Sequence, residues 1–175
     1  IESILILFLN KLKKINIYKN DKLIFSVFKE DKENNIVTIK STNGNLQFKI
    51  FNKIIYCKEN IKEEKRKNIL RRELFIAFPL QRISDSRVFS FLPTEIETSL
   101  PFLIQSDFLL NASRSEIEKN KDWNLWILDE IVEFFVEEFD KLKELDKYMY
   151  LRYLDEQKSS NIFIDKYPYE YVYKN

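Results

Sequence analysis

The sequence contains no histidine and a single cysteine. Without histidine the chain cannot form Ser-His or Cys-His catalytic pairs, histidine-based zinc sites or an imidazole proton shuttle. The lone cysteine, Cys57, excludes an internal disulfide and a multi-cysteine metal cluster, so we expect a reducing, cytoplasmic environment. Because no histidine is present to lower its pKa, we interpret Cys57 as a strand residue rather than a nucleophile.

Glycine is almost as scarce, since Gly44 is the only one. Loops that cradle phosphates need several glycines so that the backbone can approach the phosphate closely. Neither a P-loop nor a dinucleotide fingerprint can be written with one glycine. We therefore expect that this chain cannot hold a nucleotide alone and that it is not an enzyme by itself.

The remaining composition is that of an ordinary globular domain. The 175 residues are 45% apolar and 33% charged, with a net charge of +1. This length suits one domain with a sizeable core, and the balanced charge gives no general attraction to nucleic acid or to an anionic membrane. The apolar run over residues 4–12 is too short to span a bilayer. Because the chain begins with Ile1 and its only methionine is Met149, we expect it to lie inside a longer protein.

Hydrophobic periodicity predicts strands framed by two helices. The Asn43-Gly44 pair predicts a hairpin, because both residues tolerate positive φ. A helix is expected over residues 1–15 and a longer one over 113–147, with a polar turn at 30–35 and a charged loop at 59–68. The expected strands cover residues 23–28, 36–41, 46–57, 73–80, 88–92 and 102–110.

These elements predict an α+β fold. An antiparallel or mixed β-sheet would carry a long C-terminal helix packed on one face. We expect residues 1–175 to form a single domain, with 1–18 as a candidate trailing helix of an upstream domain and 148–175 as an aromatic tail.

The segment from Asn111 to Ile117 carries the most specific signal. Ser113 and Glu116 have the spacing of a capping box at a helix N-terminus, in which each side chain bonds the other residue's amide. This interpretation does not account for Arg114, because a cation in the first turn is opposed by the helix dipole by about 0.3–1 kcal/mol. The functional alternative is that Arg114 points at an anion such as a γ-phosphate. The residues alone favour the capping interpretation.

Residues 108–117, Phe-Leu-Leu-Asn-Ala-Ser-Arg-Ser-Glu-Ile, resemble the Leu-Asn-Ile-Ser-Arg-Glu loop of the heat-shock-protein-ninety middle domain. Residues 91–110 resemble the region that follows the ATP-binding domain in sacsin and NO VEIN type proteins. Residues 5–15 look similar to a helix near the end of that GHKL-type ATP-binding domain. The resemblance touches both ends of residues 1–130, and its specific part lies at 88–130.

The resemblance implies a chaperone-middle-domain-like fold and a role for the loop. By position, Arg114 matches the chaperone arginine that reaches toward the γ-phosphate, and Asn111, Ser113 and Glu116 would support the nucleotide loop. The pattern departs from the chaperone at Ala112 and Ser115, and Glu118 stands where the chaperone has glutamine. The loop shape can therefore be shared while the catalytic role is diminished.

The leading hypothesis is a transducer-like accessory domain that couples the ATP state of an upstream GHKL domain to conformational change. It implies no cofactor in this chain, ATP and magnesium in the longer protein, and an ATPase activity that belongs to that protein. The partners would be the upstream domain, protein clients and a candidate homodimer, with no membrane.

Two alternatives remain open. The first is a nucleic-acid-binding or protein-interaction module without ATP coupling. Its support is a basic cluster beside aromatic strands, formed by Lys62, Lys65, Arg66, Lys67, Arg71 and Arg72. The glutamates next to this cluster favour the interpretation that it is a solvated face. The second is a metal-dependent nuclease using the Glu-x-Lys triplets at 30–32 and 63–65, which chance alone would produce at this charge content.

Overall fold

The computed structural model describes residues 2–59, 61, 63–81, 83, 86–98, 100 and 102–145. Within them lie eight strands and one α-helix. The strands are β1 (Lys14–Lys19), β2 (Lys22–Lys32), β3 (Ile36–Ser41), β4 (Gly44–Tyr56), β5 (Arg71–Pro79), β6 (Arg87–Ser90), β7 (Leu92–Glu97) and β8 (Leu103–Gln105). The helix is α1 (Asp122–Leu145), and short 3-10 turns occur at Ser3–Ile6, Glu33–Asn35 and Glu64–Arg66.

The eight strands form one mixed sheet in the order β1-β2-β3-β4-β5-β8-β6-β7. The first five are antiparallel neighbours in chain order, and β8 pairs antiparallel with β5. The pairing of β6 with β8 is parallel. Insertion of β8 between β5 and β6 places the chain that follows β8 beside the start of β5 and the end of β6.

The expectation of an α+β fold with a long covering helix is wrong, because the described chain is mainly β. One reason lies at the N-terminus, where only Ser3–Ile6 forms a 3-10 turn and β1 already begins at Lys14. Ile15 and Ile17 alternate with polar neighbours there, and this period of two suits a strand better than a helix. The apolar residues before β1 do not form a helix face but pack on the sheet.

The second reason lies at the C-terminal end of the sheet, where the helix begins at Asp122 instead of Ser113. Residues 113–121 form turns and an isolated bridge, so the helix is 24 residues long over the described range. The polar turn expected at 30–35 is also shorter, since β2 continues to Lys32.

The predicted hairpin at Asn43-Gly44 is confirmed. β3 pairs with β4 from Ser41–Gly44 to Ile36–Lys49, and Gly44 has φ +123°. A glycine suits this position because an L side chain rarely adopts such a backbone angle.

Each face of the sheet has its own hydrophobic cluster, as the alternation of side chains along a strand requires. On one face Leu74, Ile76 and Phe78 of β5 pack with residues of α1, including Trp123 and Phe135. On the opposite face, Ala77 belongs to a cluster with the N-terminal residues Ile4, Ile6 and Leu7. The candidate site lies at the edge of the sheet where β5 begins, where β6 and β8 end, and where the chain turns toward α1.

Candidate functional site

The predicted nucleotide loop is a closed turn, which we call the arginine loop (residues 110–117). Leu110 and Ile117 form an antiparallel bridge at its base. The Asn111 amide donates to the Glu116 carbonyl at 3.1 Å, and the Glu118 amide donates to the Leu109 carbonyl at 3.0 Å. The loop is therefore a short, hydrogen-bonded hairpin rather than a helix start.

Asn111 holds the inside of this loop. Its Oδ1 accepts from the amides of Ser115 at 3.0 Å and Glu116 at 3.3 Å, and its Nδ2 donates to Ser115 Oγ at 3.2 Å. The capping box predicted for Ser113 and Glu116 is thus wrong, because Asn111 takes the amide that Ser113 was expected to cap. Ser113 Oγ instead lies 2.9 Å from Ser115 Oγ.

Arg114 lies at the turn of the loop with a left-handed backbone, φ 61°. Its amide donates to the Asn111 carbonyl at 3.0 Å, and its Nη2 donates to the carbonyls of Ser90 at 3.0 Å and Leu92 at 3.2 Å. Among the described residues, Nε and Nη1 make no hydrogen bond and no carboxylate lies within ion-pair distance. The side chain is fixed in position while most of its donors stay available.

The helix holds the loop through Asn124, whose side chain is fully buried. Its Oδ1 accepts from the Leu109 amide at 2.9 Å, and its Nδ2 donates to the carbonyls of Leu109 at 2.9 Å and Glu118 at 3.0 Å. One amide thus satisfies three backbone groups on both sides of the arginine loop, which fixes the loop against α1.

Beside the loop, Asp107 is a carboxylate buried to 5% exposure between two arginines. Arg66 binds it in a bidentate manner at 2.7 and 2.8 Å, and Arg72 Nε donates to it at 2.6 Å. Trp123 Nε1 donates to the Asp107 carbonyl at 2.8 Å, and the Arg72 guanidinium lies 5.9 Å from the centre of the Trp123 ring. The cluster ties the loop before β5, β5 itself and α1 to the chain after β8.

Sequence reasoning missed Asp107. The available signal was a single acid in the otherwise uncharged run 98–113, a position where burial demands a cationic partner. The basic cluster of the nucleic-acid alternative contained the two partners, and their pairing with Asp107 leaves less free positive charge there than the sequence suggests. Lys62 of that cluster lies outside the described residues.

A cavity of about 280 Å³ lies next to the arginine loop. Its charged lining residues are Lys65, Arg66, Arg114 and the buried Asp107, so cations are in excess. The Lys65 ammonium lies 3.7 Å from a carboxylate oxygen of Glu118. This cationic cavity suits an anion in a way that the near-neutral chain as a whole does not.

Phe91 forms part of the rim of this cavity and is unusual in two respects. It is 62% exposed, and its backbone is left-handed, φ 65°. Its amide donates to Gln105 Oε1 at 2.9 Å, and the carbonyls on either side of it, those of Ser90 and Leu92, are the two that Arg114 holds. Gln105 and Arg114 together maintain a conformation that a bulky residue seldom adopts.

The pKa shifts of two ionisable groups near the site, Cys57 and Glu63, follow from their surroundings. Burial raises the pKa of the Cys57 thiol, and its amide donates to the Leu70 carbonyl at 2.9 Å directly after β4. The hydrogen bond from the Lys65 amide lowers the pKa of Glu63. Of the described residues, no three potential ligands cluster in a way that could hold a metal ion.

A helix that could cross a bilayer is not found among the described residues. The Glu-x-Lys triplet at 30–32 lies on β2, where Glu30 pairs with Lys40 at 2.9 Å and Asp31 pairs with Lys13. These carboxylates are therefore engaged in ion pairs between neighbouring parts of the chain.

The chain is similar to one segment of Protein NO VEIN from Arabidopsis thaliana. Over 145 residues the two are 30% identical, and the match covers 76% of this chain but 5% of that protein. No protein-family model and no solved structure matches the chain. The similarity supports the NO VEIN side of the resemblance, whereas the GHKL and chaperone middle-domain placement stays a prediction.

Proposed function

We propose that this chain is an accessory, non-catalytic domain of a longer NO VEIN-like protein, in which Arg114 contacts the phosphate of a bound nucleotide. On this proposal ATP and its magnesium ion are held by an upstream domain, which is the first partner. The chain couples the ATP state to a conformational change in a chaperone-like manner, in the cytoplasm. Protein clients or a second copy of the chain would be further partners.

The observation that carries the proposal is the state of the Arg114 guanidinium. Two backbone carbonyls hold Nη2, while Nε and Nη1 have no acceptor among the described residues. A guanidinium held this way loses little conformational freedom when it binds a phosphate.

The surroundings of Arg114 support an anionic ligand. Lys65 and Arg66 line the same cavity, and Asp107 is its one carboxylate. Asp107 already accepts from two arginines, so it does not compete for Arg114. The similarity to a small segment of a much longer protein is consistent with a domain that acts on a ligand held elsewhere.

The test is substitution of Arg114 in the longer protein, measured as ATP hydrolysis and as the ATP-linked conformational change. Arg114→Gly is the preferred variant because glycine tolerates the left-handed backbone at this position. Loss of charge-assisted hydrogen bonds worth about 1.5–3 kcal/mol predicts a decrease of roughly tenfold to hundredfold. Arg114→Lys should be intermediate, since it keeps the charge but loses the planar fork.

A matched control is Arg87→Ala, which removes an arginine paired with Glu2 at 3.0 Å, outside the residues that line the cationic cavity. It should leave hydrolysis within about twofold of the unmodified protein. Unchanged hydrolysis together with an unchanged conformational response in Arg114→Gly would contradict the proposal. A parallel titration of this chain with inorganic triphosphate reports phosphate binding without the other domain.

A further inference from the structure

A second cavity, of about 560 Å³, shares Phe91 and Asp107 with the cationic cavity. Three phenyl rings from different parts of the chain line it: Phe8 after the first 3-10 turn, Phe75 on β5 and Phe91 after β6. The rings of Phe8 and Phe75 lie 6.0 Å apart between centroids. A volume of this size with aromatic walls is typical of a small-molecule site.

The polar part of this lining differs from that of the cationic cavity. Two guanidinium groups, of Arg71 and Arg72, are balanced by two carboxylates, of Glu73 and Asp107. The amides of Asn10 and Gln105 add both donors and acceptors. Such a wall favours a ligand of little net charge that carries hydrogen-bond donors and acceptors along the edge of a flat ring.

Gln105 supplies a donor that the fold itself hardly uses. The residue is 6% exposed and lines the cavity. Oε1 accepts from the Phe91 amide at 2.9 Å, but the contact of Nε2 is the Ser106 carbonyl at 3.5 Å, at the outer limit of a hydrogen bond. A buried amide with a spare donor costs free energy unless a ligand or water completes it.

The conformation of Phe91 also points to a binding site. An exposed phenyl ring in the left-handed region is doubly unfavourable, and Gln105 and Arg114 hold it there. Glycine or asparagine would meet the backbone requirement at lower cost. Backbone strain that the surrounding structure maintains is found at binding sites, where the strained side chain makes contacts that the fold does not need.

We propose that this cavity binds a planar heteroaromatic ring of the nucleobase kind, stacked on Phe91 and hydrogen-bonded at its edge by Gln105. The site does not depend on Arg114 meeting a phosphate and is separate from the proposed function. Gln105 is a ligand-contacting residue and also positions Phe91.

The experiment titrates this chain with adenosine and guanosine, which lack phosphate, and with ribose as the compound without a base. Affinity is measured by calorimetry, and the position of the ligand by the amide resonances of Phe91 and the Gln105 side chain. Phe91→Asn should weaken nucleoside binding about tenfold or more, while Phe91→Tyr keeps it. Because asparagine tolerates positive φ, the unfolding midpoint of Phe91→Asn should stay within about 4 °C of the unmodified chain.

Tyr18→Asn is the matched control, since Tyr18 is a 60% exposed aromatic residue on β1 that does not line the cavity. The proposal is supported if the chain binds either nucleoside, if Phe91→Asn weakens this binding and if Tyr18→Asn leaves it intact. Absence of nucleoside binding at millimolar concentration, equal binding of ribose, or no effect of Phe91→Asn overturns it. Inorganic triphosphate binding that depends on Arg114 would still hold in those cases, so the two proposals fail separately.

Discussion

Asp107→Asn tests how much the buried carboxylate of Asp107 stabilises the fold. The substitution keeps the size of the side chain but removes the negative charge that lies between Arg66 and Arg72. Three charge-assisted hydrogen bonds of 2.6–2.8 Å are weakened or lost, and one amide oxygen remains to serve both arginines. The amide group also presents N–H donors toward guanidinium donors, which is repulsive.

The size of the expected loss in stability follows from the burial of the three side chains. Removal of one partner from a fully buried ion pair costs about 3–5 kcal/mol because the other charge is left without compensation. Here Asp107 is 5% exposed, but the side chains of Arg66 and Arg72 are 24% and 28% exposed, so water can reach them. We therefore expect a decrease of about 2–3 kcal/mol in the free energy of unfolding, or about 4–12 °C in Tm for a chain of this length.

The assay is urea unfolding followed by tryptophan fluorescence, since Trp123 contacts the cluster. A double-mutant cycle with Arg66→Met should give a coupling energy of about 1–2 kcal/mol. As a control, Glu137→Gln breaks an ion pair with Lys53 at 3.0 Å whose acid is 54% exposed, and should cost less than about 0.5 kcal/mol. A loss below about 1 kcal/mol for Asp107→Asn, or no coupling to Arg66, would refute the structural role assigned to this cluster.

Two further predictions concern Asn124, which holds the arginine loop, and Lys29, whose Nζ donates to the carbonyls of Leu7 at 3.1 Å and Leu9 at 2.7 Å. Asn124→Leu should lower the free energy of unfolding by about 2–3 kcal/mol, because it leaves the buried Leu109 amide without an acceptor and removes one donor from each of the carbonyls of Leu109 and Glu118; urea unfolding measures this, and a loss under about 1 kcal/mol contradicts it. Burial, with a smaller contribution from Lys13, lowers the pKa of Lys29 from 10.5. The unfolded chain then binds more protons between the lowered pKa and 10.5, so stability should rise with pH across that window. Lys29→Met should lack this rise in urea midpoints compared from pH 7 to 10.5, and an identical pH profile would contradict the assignment.

Six of the eight strands that the structure describes were predicted from the sequence, because alternation and one turn motif are local signals, whereas β1 and β7 were not predicted. The pairing of β3 with β4 follows from Asn43-Gly44, and the apolar alternation of residues 46–50 reappears within β4. The order of β8 between β5 and β6 was not predictable, since a three-residue strand carries no periodicity and its place depends on long-range pairing.

The helix predictions were wrong for a different reason. An apolar run such as residues 4–9 cannot distinguish a helix face from an irregular segment packed on a sheet, and the sheet that it covers forms later in the chain. At the arginine loop, Ser113 and Glu116 fit a capping box by spacing, but Asn111 takes the Glu116 amide that Ser113 was expected to cap. With these bonds and the bridge between Leu110 and Ile117, residues 111–117 form a hairpin instead of the start of a helix.

The candidate site also contains residues that the sequence could indicate and residues that it could not. Arg114 could be singled out from sequence because the capping interpretation did not explain it, and its role is still a prediction. The pairing of Asp107 with Arg66 and Arg72 joins positions 35 and 41 residues apart, so no local pattern reports it. Phe91 was hidden because a left-handed φ at a phenylalanine has no signature in composition or periodicity.

The geometry gives Arg114 two tasks that use different atoms. Nη2 holds the carbonyls on both sides of Phe91, whereas Nε and Nη1 face no acceptor among the described residues. An anion could therefore bind Arg114 without releasing Phe91, and the ring would stay in place for a ligand in the neighbouring cavity. Lysine cannot reproduce this division, because its single ammonium would have to serve the carbonyls and the anion from one point. Arg114→Lys should for this reason weaken phosphate binding and also perturb the Phe91 amide resonance, whereas a residue with only one of the two tasks would show only one of the two effects.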